Sequence, residues 1–281
     1  MTVHFQLPSD VDNYCVVGNP VKHSLSPRIH TLFASQTGQS LHYQSIEVGD
    51  GLFRDFVNRF KEQGGCGFNI TVPYKTDAFA IANDLSERAS RAQAVNTITI
   101  TDKGLAGDNT DGIGLMRDIR TNLHHVIEDK RVLVLGAGGA VRGILSPLAA
   151  EHPKQLVIAN RTQARAESLA EDFADVLPVL ARSFTDLESE EAFDIVINGT
   201  AASLQDEDLP IPGSIFHSNS LSYDMMYSSQ ATTFQVWSKS QGVTQAVDGL
   251  GMLIEQAAEA FYIWRGVHPD TQSVIEDIRP A

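Results

Sequence analysis

A short apolar segment that runs into a glycine-rich turn is the feature that most constrains the fold of this 281-residue chain. Val132–Leu135 is typical of a buried strand, and an apolar helical pattern follows the turn. The turn consists of Gly136, Ala137, Gly138, Gly139 and Ala140. Glycine permits the tight bend and lets the backbone approach a diphosphate that rests on helix N–H groups. The pattern predicts a dinucleotide-binding unit, although Val141 replaces a third glycine and leaves open a turn that serves only packing.

The end of the next predicted strand indicates which dinucleotide is bound. Leu156–Ala159 is followed by Asn160, Arg161, Thr162 and Arg165, where NAD-binding chains usually carry an acidic residue for the ribose hydroxyls. Amide, hydroxyl and guanidinium donors suit a ribose 2′-phosphate, which an acidic side chain would repel. We therefore expect NADP rather than NAD. The alternative is that Thr162 is an ordinary helix N-cap beside two solvated arginines.

Apolar segments of strand length alternate with amphipathic patterns of helix length along the chain. The predicted strands are Tyr14–Val17, Tyr43–Val48, Gly67–Ile70, Thr97–Ile100, Val132–Leu135, Leu156–Ala159, Ile195–Ile197 and Thr244–Val247. Such alternation predicts an α/β fold with parallel, helix-covered sheets, and the length favours about two domains. We place the first domain at residues 1–112 and the second, Rossmann-like domain at 113–247. Residues 248–281 contain an apolar helical stripe and are expected to pack back on the first domain.

Composition excludes several functional classes. Thirty-five acidic residues against 21 basic ones give a net charge of −14, the wrong sign for a nucleic-acid binder or a polybasic membrane anchor. No leader is apparent and no apolar stretch reaches the ~20 residues of a membrane helix, so we expect a cytoplasmic protein. Cys15 and Cys66 are expected to be reduced, and the histidines show no ligand spacing that predicts a metal site.

Polar residues with unusual positions occur in the first predicted domain. Ser24 and Ser26 precede Pro27, which predicts a helix with Ser26 as its N-cap; such a helix start also suits a carboxylate ligand. Lys75 falls in the first turn of a predicted helix, where a cation opposes the macrodipole, so helix stability does not explain it. It is either a functional residue or a solvated surface lysine. Asp111 lies at a loop-to-helix junction, where it is either an N-cap or a functional carboxylate.

Seven ordered segments make the chain resemble the shikimate dehydrogenase family over nearly its whole length. They are Ser24–Pro27 (SLSP), Asn69–Lys75 (NITVPYK), Ala94–Thr97 (AVNT), Asn109–Gly114 (NTDGIG), Gly136–Ala140 (GAGGA), Asn160–Ala166 (NRTQARA) and Gly251–Gln256 (GMLIEQ). The resemblance implies an N-terminal open α/β substrate domain and a Rossmann-like NADP-binding domain, with an active-site cleft between them. It also implies reversible reduction of 3-dehydroshikimate to shikimate by NADPH, in the chorismate pathway to aromatic amino acids, by a monomer or homodimer.

The resemblance also implies roles for individual residues. Lys75 and Asp111 are the implied catalytic pair, with Lys75 as the proton donor to the oxygen that gains charge during hydride transfer. The implied substrate ligands are Ser24 and Ser26 at the carboxylate, with Asn69, Thr71, Lys75, Asn96, Asp111, Tyr227 and Gln256 around the ring. The implied NADP ligands are Gly136, Ala137, Gly138, Gly139, Ala140, Asn160, Arg161, Thr162, Arg165, Thr200 and Gly249. The chain departs from the family pattern where Asp224–Thr233 lacks two prolines and where Asn198–Thr200 replaces Asn-Ala-Thr.

Three other interpretations are open at this point. One is a quinate/shikimate dehydrogenase that uses NAD, against which the Asn160–Arg165 segment argues. Another is a sensor that binds shikimate-like molecules without turnover, since a fold does not dictate function. Retention of both Lys75 and Asp111 disfavours it. The third is an amino-acid or folate dehydrogenase with the same two-domain plan, and the motifs of the first domain disfavour that.

Overall fold

The computed structural model describes residues 3–175, 178–200, 202 and 209–279. The chain divides into two compact units, each with its own six-stranded sheet. Unit 1 comprises the chain up to Gly114 and from Ile254 onward, and unit 2 comprises Leu115–Leu253. Among the described helices, none is long and apolar enough to span a membrane.

Unit 1 combines a sheet with helices from both ends of the chain. Its elements are β1 (Asp12–Gly18), α1 (Ser26–Thr37), β2 (Leu41–Glu47), α2 (Phe53–Glu62), β3 (Gly65–Ile70), α3 (Lys75–Ile81), β4 (Asp84–Leu85), α4 (Glu87–Ala92), β5 (Thr97–Thr101), β6 (Gly104–Asp108) and α10 (Thr271–Ile278). Two further helices, α5 (Asp111–Arg117) and α9 (Leu250–Arg265), have residues in both units. The strand order of the sheet is β2-β1-β3-β5-β6-β4.

The prediction of a parallel sheet is wrong for part of unit 1. Strands β2, β1 and β3 pair in parallel, but β5 runs antiparallel to both β3 and β6. Only Asp102 and Lys103 separate β5 from β6, and so short a connection permits only a hairpin, because a parallel crossover needs a dozen or so residues. Gly104 follows with φ of 126°, a conformation that glycine adopts readily.

The apolar stripe of α2 forms much of the core of unit 1. Phe53, Phe56, Val57 and Phe60 are all at most 5% exposed, as expected of residues at helical spacing on one face. The ring of Phe56 meets that of Phe68 on β3 edge to face, with centroids 5.3 Å apart. This packing fixes β3, whose next residue after Phe68 is Asn69.

Unit 2 has a fully parallel sheet. Its elements are β7 (Arg131–Leu135), α6 (Gly139–Ala149), β8 (Gln155–Asn160), α7 (Gln163–Asp172), β9 (Val179–Ser183), β10 (Phe193–Asn198), β11 (Phe216–Asp224), α8 (Thr233–Ser240) and β12 (Gln245–Val247), with irregular helical turns at Asp118–Asn122, Thr185–Ser189 and Gly213–Ile215. The strand order is β12-β11-β10-β7-β8-β9. Successive strands are added on one side of β7 up to β9 and on its other side from β10 onward. Open α/β sheets bind dinucleotides at such a switch point, at the carboxyl ends of the strands.

Candidate functional site

A lysine and an aspartate that are distant in sequence form an ion pair in unit 1. Lys75 is the first residue of α3 and Asp111 is the first residue of α5. Lys75 Nζ lies 2.5 Å from Asp111 Oδ2, and the two side chains are only 21% and 7% exposed. The helix macrodipole disfavours a cation at this position, and the Asp111 carboxylate offsets that effect. The arrangement places the Lys75 amine beside a largely buried carboxylate.

Asn96 holds the other oxygen of the Asp111 carboxylate. Its Nδ2 group lies 2.8 Å from Asp111 Oδ1, 2.9 Å from Thr110 Oγ1 and 3.2 Å from Gln256 Oε1. The Asp111 backbone N–H donates to Asn109 Oδ1 at 3.1 Å. These contacts bring Asn96, Asp111 and Gln256 together, and they fix the loop that carries Asp111.

The two serines lie at the beginning of α1. The helix begins at Ser26 itself, and its N-cap position is Leu25, which makes no side-chain capping bond. The prediction that Ser26 is the N-cap is therefore wrong by one residue. The Ser24 hydroxyl donates to Ser26 Oγ at 3.1 Å. Because Ser26 does not cap the helix, its hydroxyl is available for another partner.

Tyr43, a residue of β2, lies near Ser26. Burial raises the pKa of Tyr43 well above its usual value, and a hydrogen bond with Ser26 opposes the rise. The Tyr43 hydroxyl donates to Asn69 Oδ1 at 2.7 Å, and Asn69 Nδ2 donates to Thr97 Oγ1 at 3.0 Å. Tyr43 therefore belongs to the hydrogen-bonded group around Asn69. Sequence reasoning missed it because a tyrosine in an apolar strand segment resembles a core residue, and its hydroxyl is the only signal of another role.

Thr71 and Tyr227 are the two remaining predicted substrate ligands. Thr71 is half-buried just after β3, and its backbone N–H donates to Val17 O at 2.9 Å. Tyr227 belongs to unit 2, where it is half-buried three residues after the end of β11. Their roles stay predictions that rest on the sequence resemblance.

The glycine-rich turn of unit 2 lies at the carboxyl end of β7. Gly136 has φ of 106°, Gly138 is the N-cap of α6, and Gly139 is the first residue of that helix. A Cβ atom at Gly138 or Gly139 would meet no atom within 4 Å, so close packing does not explain glycine there. Ala137 and Ala140 are half-buried. The exposed backbone at a helix N-terminus is suited to a diphosphate, which fits a dinucleotide.

The predicted 2′-phosphate ligands follow β8. Arg161, Thr162 and Arg165 are exposed, and Asn160 donates its side-chain amide to Thr162 O at 2.9 Å. Thr162 is the N-cap of α7 but makes no side-chain capping bond, so capping does not account for its hydroxyl. Within the described parts of the chain, neither arginine has an ion-pair partner. Both guanidinium groups are therefore available to a phosphate.

Thr200 and Gly249 have intramolecular roles in unit 2. Thr200 donates through its hydroxyl and its backbone N–H to Asn198 Oδ1, at 2.7 and 3.0 Å. A Cβ atom at Gly249 would lie 2.3 Å from the backbone oxygen of Met225, so glycine is required there by packing. This requirement holds whether or not Gly249 also contacts a cofactor.

The carboxylate of Asp224 organises the loop that lacks the family's two prolines. Asp224 Oδ1 accepts from the Met226 backbone N–H and from Asn198 Nδ2, both at 3.1 Å, while Oδ2 accepts from the Thr232 hydroxyl at 2.7 Å. Thr232 in turn caps α8 through a capping box with Gln235. Hydrogen bonds thus fix both ends of the loop that carries Tyr227, a loop that lacks the two prolines of the family pattern.

Comparison with known families gives three matches in order along the chain. The model described as the shikimate dehydrogenase substrate binding domain matches residues 16–98. The model described as shikimate / quinate 5-dehydrogenase matches residues 118–205, and that of the shikimate 5′-dehydrogenase C-terminal domain matches residues 249–279. The first match contains Asn69 and Asn96, the last contains Gln256, and Asp111 lies between the first and second matches.

Individual relatives match over nearly the whole length. The shikimate dehydrogenase (NADP(+)) of Aeromonas hydrophila subsp. hydrophila is 52% identical over 271 residues, covering 96% of this chain and 98% of that protein. An Ael1 enzyme from Pseudomonas putida has a crystal structure with a TM-score of 0.90 and 43% identity, covering 96% of this chain and 99% of that one. Shikimate 5-dehydrogenase from Thermus thermophilus, in complex with NADP(H) and shikimate, gives a TM-score of 0.83 and 30% identity, covering 94% of this chain and 97% of that one.

Proposed function

The chain belongs to the shikimate dehydrogenase family, and we propose that Lys75 and Asp111 are the catalytic pair through which it acts. Its reaction is the NADP-dependent, reversible reduction of 3-dehydroshikimate to shikimate, a step of aromatic amino-acid biosynthesis in this family. The observation that carries the proposal is the 2.5 Å contact between Lys75 Nζ and Asp111 Oδ2, within a set of side chains that offers donors to a hydroxylated acid.

In this mechanism Lys75 supplies the proton. When bound, NADPH supplies the hydride that reduces the substrate ketone. Negative charge then grows on the carbonyl oxygen, and the Lys75 ammonium both stabilises that charge and transfers a proton from Nζ. Asp111 orients the ammonium through Oδ2. In the direction of shikimate oxidation the same pair accepts the hydroxyl proton.

In this proposal unit 1 supplies every substrate ligand except Tyr227. Ser24 and Ser26 at the beginning of α1 bind the carboxylate, with hydroxyl donors and the helix N-terminus acting together. Asn69, Asn96 and Gln256 provide amide groups for the ring hydroxyls. Thr71 and Tyr227 complete the set on the strength of the family pattern.

In this proposal unit 2 binds the cofactor. The residues Gly136, Ala137, Gly138, Gly139 and Ala140 hold the diphosphate with backbone N–H groups, and the open space over Gly138 and Gly139 fits this role. Asn160, Arg161, Thr162 and Arg165 hold the 2′-phosphate, with Thr200 and Gly249 as further cofactor ligands.

One assay with four substrate and cofactor combinations tests the proposal. Purified protein is mixed with shikimate or quinate, and in each case with NADP or NAD, and reduced nicotinamide is followed by absorbance. We expect the highest kcat/KM with shikimate and NADP. Preference for NAD would contradict the 2′-phosphate assignment, and no turnover in any combination would favour a ligand sensor. We also infer a cytoplasmic monomer or homodimer, and light scattering of the purified protein would distinguish the two assembly states.

A further inference from the structure

A continuous series of hydrogen bonds connects β2 to the proposed catalytic acid. It passes from the Tyr43 hydroxyl to Asn69 Oδ1 at 2.7 Å, and from Asn69 Nδ2 to Thr97 Oγ1 at 3.0 Å. It continues from the Thr97 hydroxyl to Asn96 Oδ1 at 2.8 Å, and from Asn96 Nδ2 to Asp111 Oδ1 at 2.8 Å. Two of its members, Tyr43 and Thr97, have no role in substrate binding or proton transfer in the function proposed above.

Fixed neighbours determine which way both amides point. Asn96 has its oxygen 2.9 Å from the backbone N–H of Thr110, which can only donate, and its nitrogen beside the Asp111 carboxylate, which accepts. Asn69 has its nitrogen 3.2 Å from the backbone oxygen of Asn96, which can only accept. Reversing either amide would place like groups against each other, so both orientations are determined by chemistry.

The amide orientations determine the direction of the whole series. Thr97 Oγ1 lies between an N–H donor on Asn69 and an oxygen acceptor on Asn96, so its hydroxyl must accept from the first and donate to the second. The Tyr43 hydroxyl must donate to Asn69 Oδ1, since burial keeps it protonated by raising its pKa. Every donor therefore points toward Asp111, and aligned hydrogen bonds of this kind strengthen one another.

The fold places these residues with little freedom. Asn69 and Thr97 are direct partners across the antiparallel strands β3 and β5, and Thr97 is 1% exposed. The Tyr43 ring stacks on the buried ring of His30, with centroids 4.1 Å apart and planes 6° apart. The series is thus held by sheet pairing at one point and by ring packing at another.

We propose that Tyr43 and Thr97 are positioning residues for the dehydrogenase reaction. They orient Asn69 and Asn96, and through Asn96 they set the orientation of the Asp111 carboxylate toward Lys75. This inference rests on the proposed role of Asp111 in the reaction. Tyr43 acts at the end nearest Ser26 and Asn69 and therefore affects substrate binding, whereas Thr97 acts next to Asn96 and therefore affects the chemical step.

The test compares variants that remove a hydroxyl with variants that retain it. We expect Thr97→Val to lower kcat by about tenfold or more, since small misplacements of a catalytic group have effects of this size. Thr97→Ser restores the hydroxyl and should remain within about twofold of the unmodified chain. Tyr43→Phe keeps the ring stack and should raise the KM for shikimate by about fivefold, with the KM for NADP unchanged.

A matched control separates positioning from stability. Tyr74→Phe also removes a buried phenol hydroxyl in unit 1, one that donates to Val48 O at 2.6 Å and takes no part in the series. Each variant's thermal midpoint is measured beside its kinetics. We expect Tyr74→Phe to lower the midpoint about as much as Tyr43→Phe does, with kcat and KM unchanged.

The outcomes distinguish this inference from the proposed function. The positioning role would be overturned, and the proposed function would stand, if the unmodified chain is active while Thr97→Val has a normal kcat and Tyr43→Phe a normal KM. Equal kinetic losses in Tyr43→Phe and Tyr74→Phe would also overturn it, because they would indicate a general effect of lost stability. An unmodified chain without shikimate turnover would overturn both proposals. If Thr97→Val does not fold, the Tyr43→Phe and Tyr74→Phe pair decides the question.

Discussion

Acidification should destabilise unit 1 through His30, the histidine that packs beneath Tyr43. The His30 ring is fully buried among Tyr43, Phe33 and Phe261. Burial lowers the pKa of His30 to about 3 from an ordinary value of 6.5, and nearby Asn69 offsets only part of this effect. The folded chain therefore keeps the imidazole neutral, whereas the unfolded chain protonates it at mildly acidic pH.

The sign and size of the effect follow from proton linkage. Below the unfolded pKa of 6.5 the unfolded state binds the additional proton, so the contribution of His30 to stability is complete above that value and is lost progressively toward pH 3. Each pH unit inside this window corresponds to about 1.4 kcal/mol. Lowering the pH from about 7.5 to about 5.5 should thus cost about 1.4 kcal/mol of unfolding free energy through this one residue.

The measurement is urea unfolding followed by tryptophan fluorescence at both pH values. Trp264, whose ring centroid lies 5.5 Å from that of His30, reports on unit 1. His30→Phe keeps an aromatic ring against Tyr43, and its loss of stability on acidification should be smaller than that of the unmodified chain by the amount calculated above. The control is His152→Asn, which removes an exposed histidine at a φ of 53° that asparagine tolerates, and which should retain the unmodified pH dependence. Equal pH dependence in His30→Phe and the unmodified chain would refute the reasoning.

Three further predictions concern the nucleotide site and the packing of each unit. Arg161→Ala should raise the KM for NADP by at least about tenfold and the KM for NAD far less, in steady-state assays, because a charge-assisted bond to the 2′-phosphate is lost; equal effects would refute the assignment. Gly138→Ala should leave the thermal midpoint unchanged and raise the KM for NADP. Gly249→Ala should lower the midpoint and reduce the unfolding free energy by about 1–3 kcal/mol, since its Cβ would overlap a backbone oxygen. Arg88→Met should destabilise the chain to urea by about 2 kcal/mol, because it removes the ion pairs of Arg88 with the largely buried carboxylates of Asp108 and Glu259. Unchanged stability would contradict this.

Two of the predicted strands are buried as their apolar composition requires. Val132–Leu135 and Leu156–Ala159 are completely buried, as expected of parallel strands covered on both faces. Strand β11 was not predicted because its segment is rich in serine and asparagine. Its buried Ser220 and Ser222 are satisfied by Phe193 O and Ser238 Oγ, at 2.7 Å each, and such partners distant in sequence cannot be inferred from composition.

Part of the candidate site could likewise be predicted from the sequence, and part could not. Lys75 was a candidate because its position at a helix start has no stabilising explanation, and Asp111 because it lies at a loop-to-helix junction. Only the family resemblance favoured a functional role for both. Their contact depends on the mixed pairing of the sheet in unit 1, which the prediction of a parallel sheet did not contain. Tyr43 was not identifiable, since only the orientation of the Asn69 amide shows what its hydroxyl does.

The most direct test of the proposed mechanism is the turnover of Lys75→Ala with shikimate and NADP. Loss of the proton donor should lower kcat by more than about 10²-fold with little change in KM, because the ammonium acts in the transition state. Circular dichroism on the same preparation establishes that the variant is folded. A folded Lys75→Ala variant with near-normal kcat would remove Lys75 from the chemistry and contradict the catalytic pair.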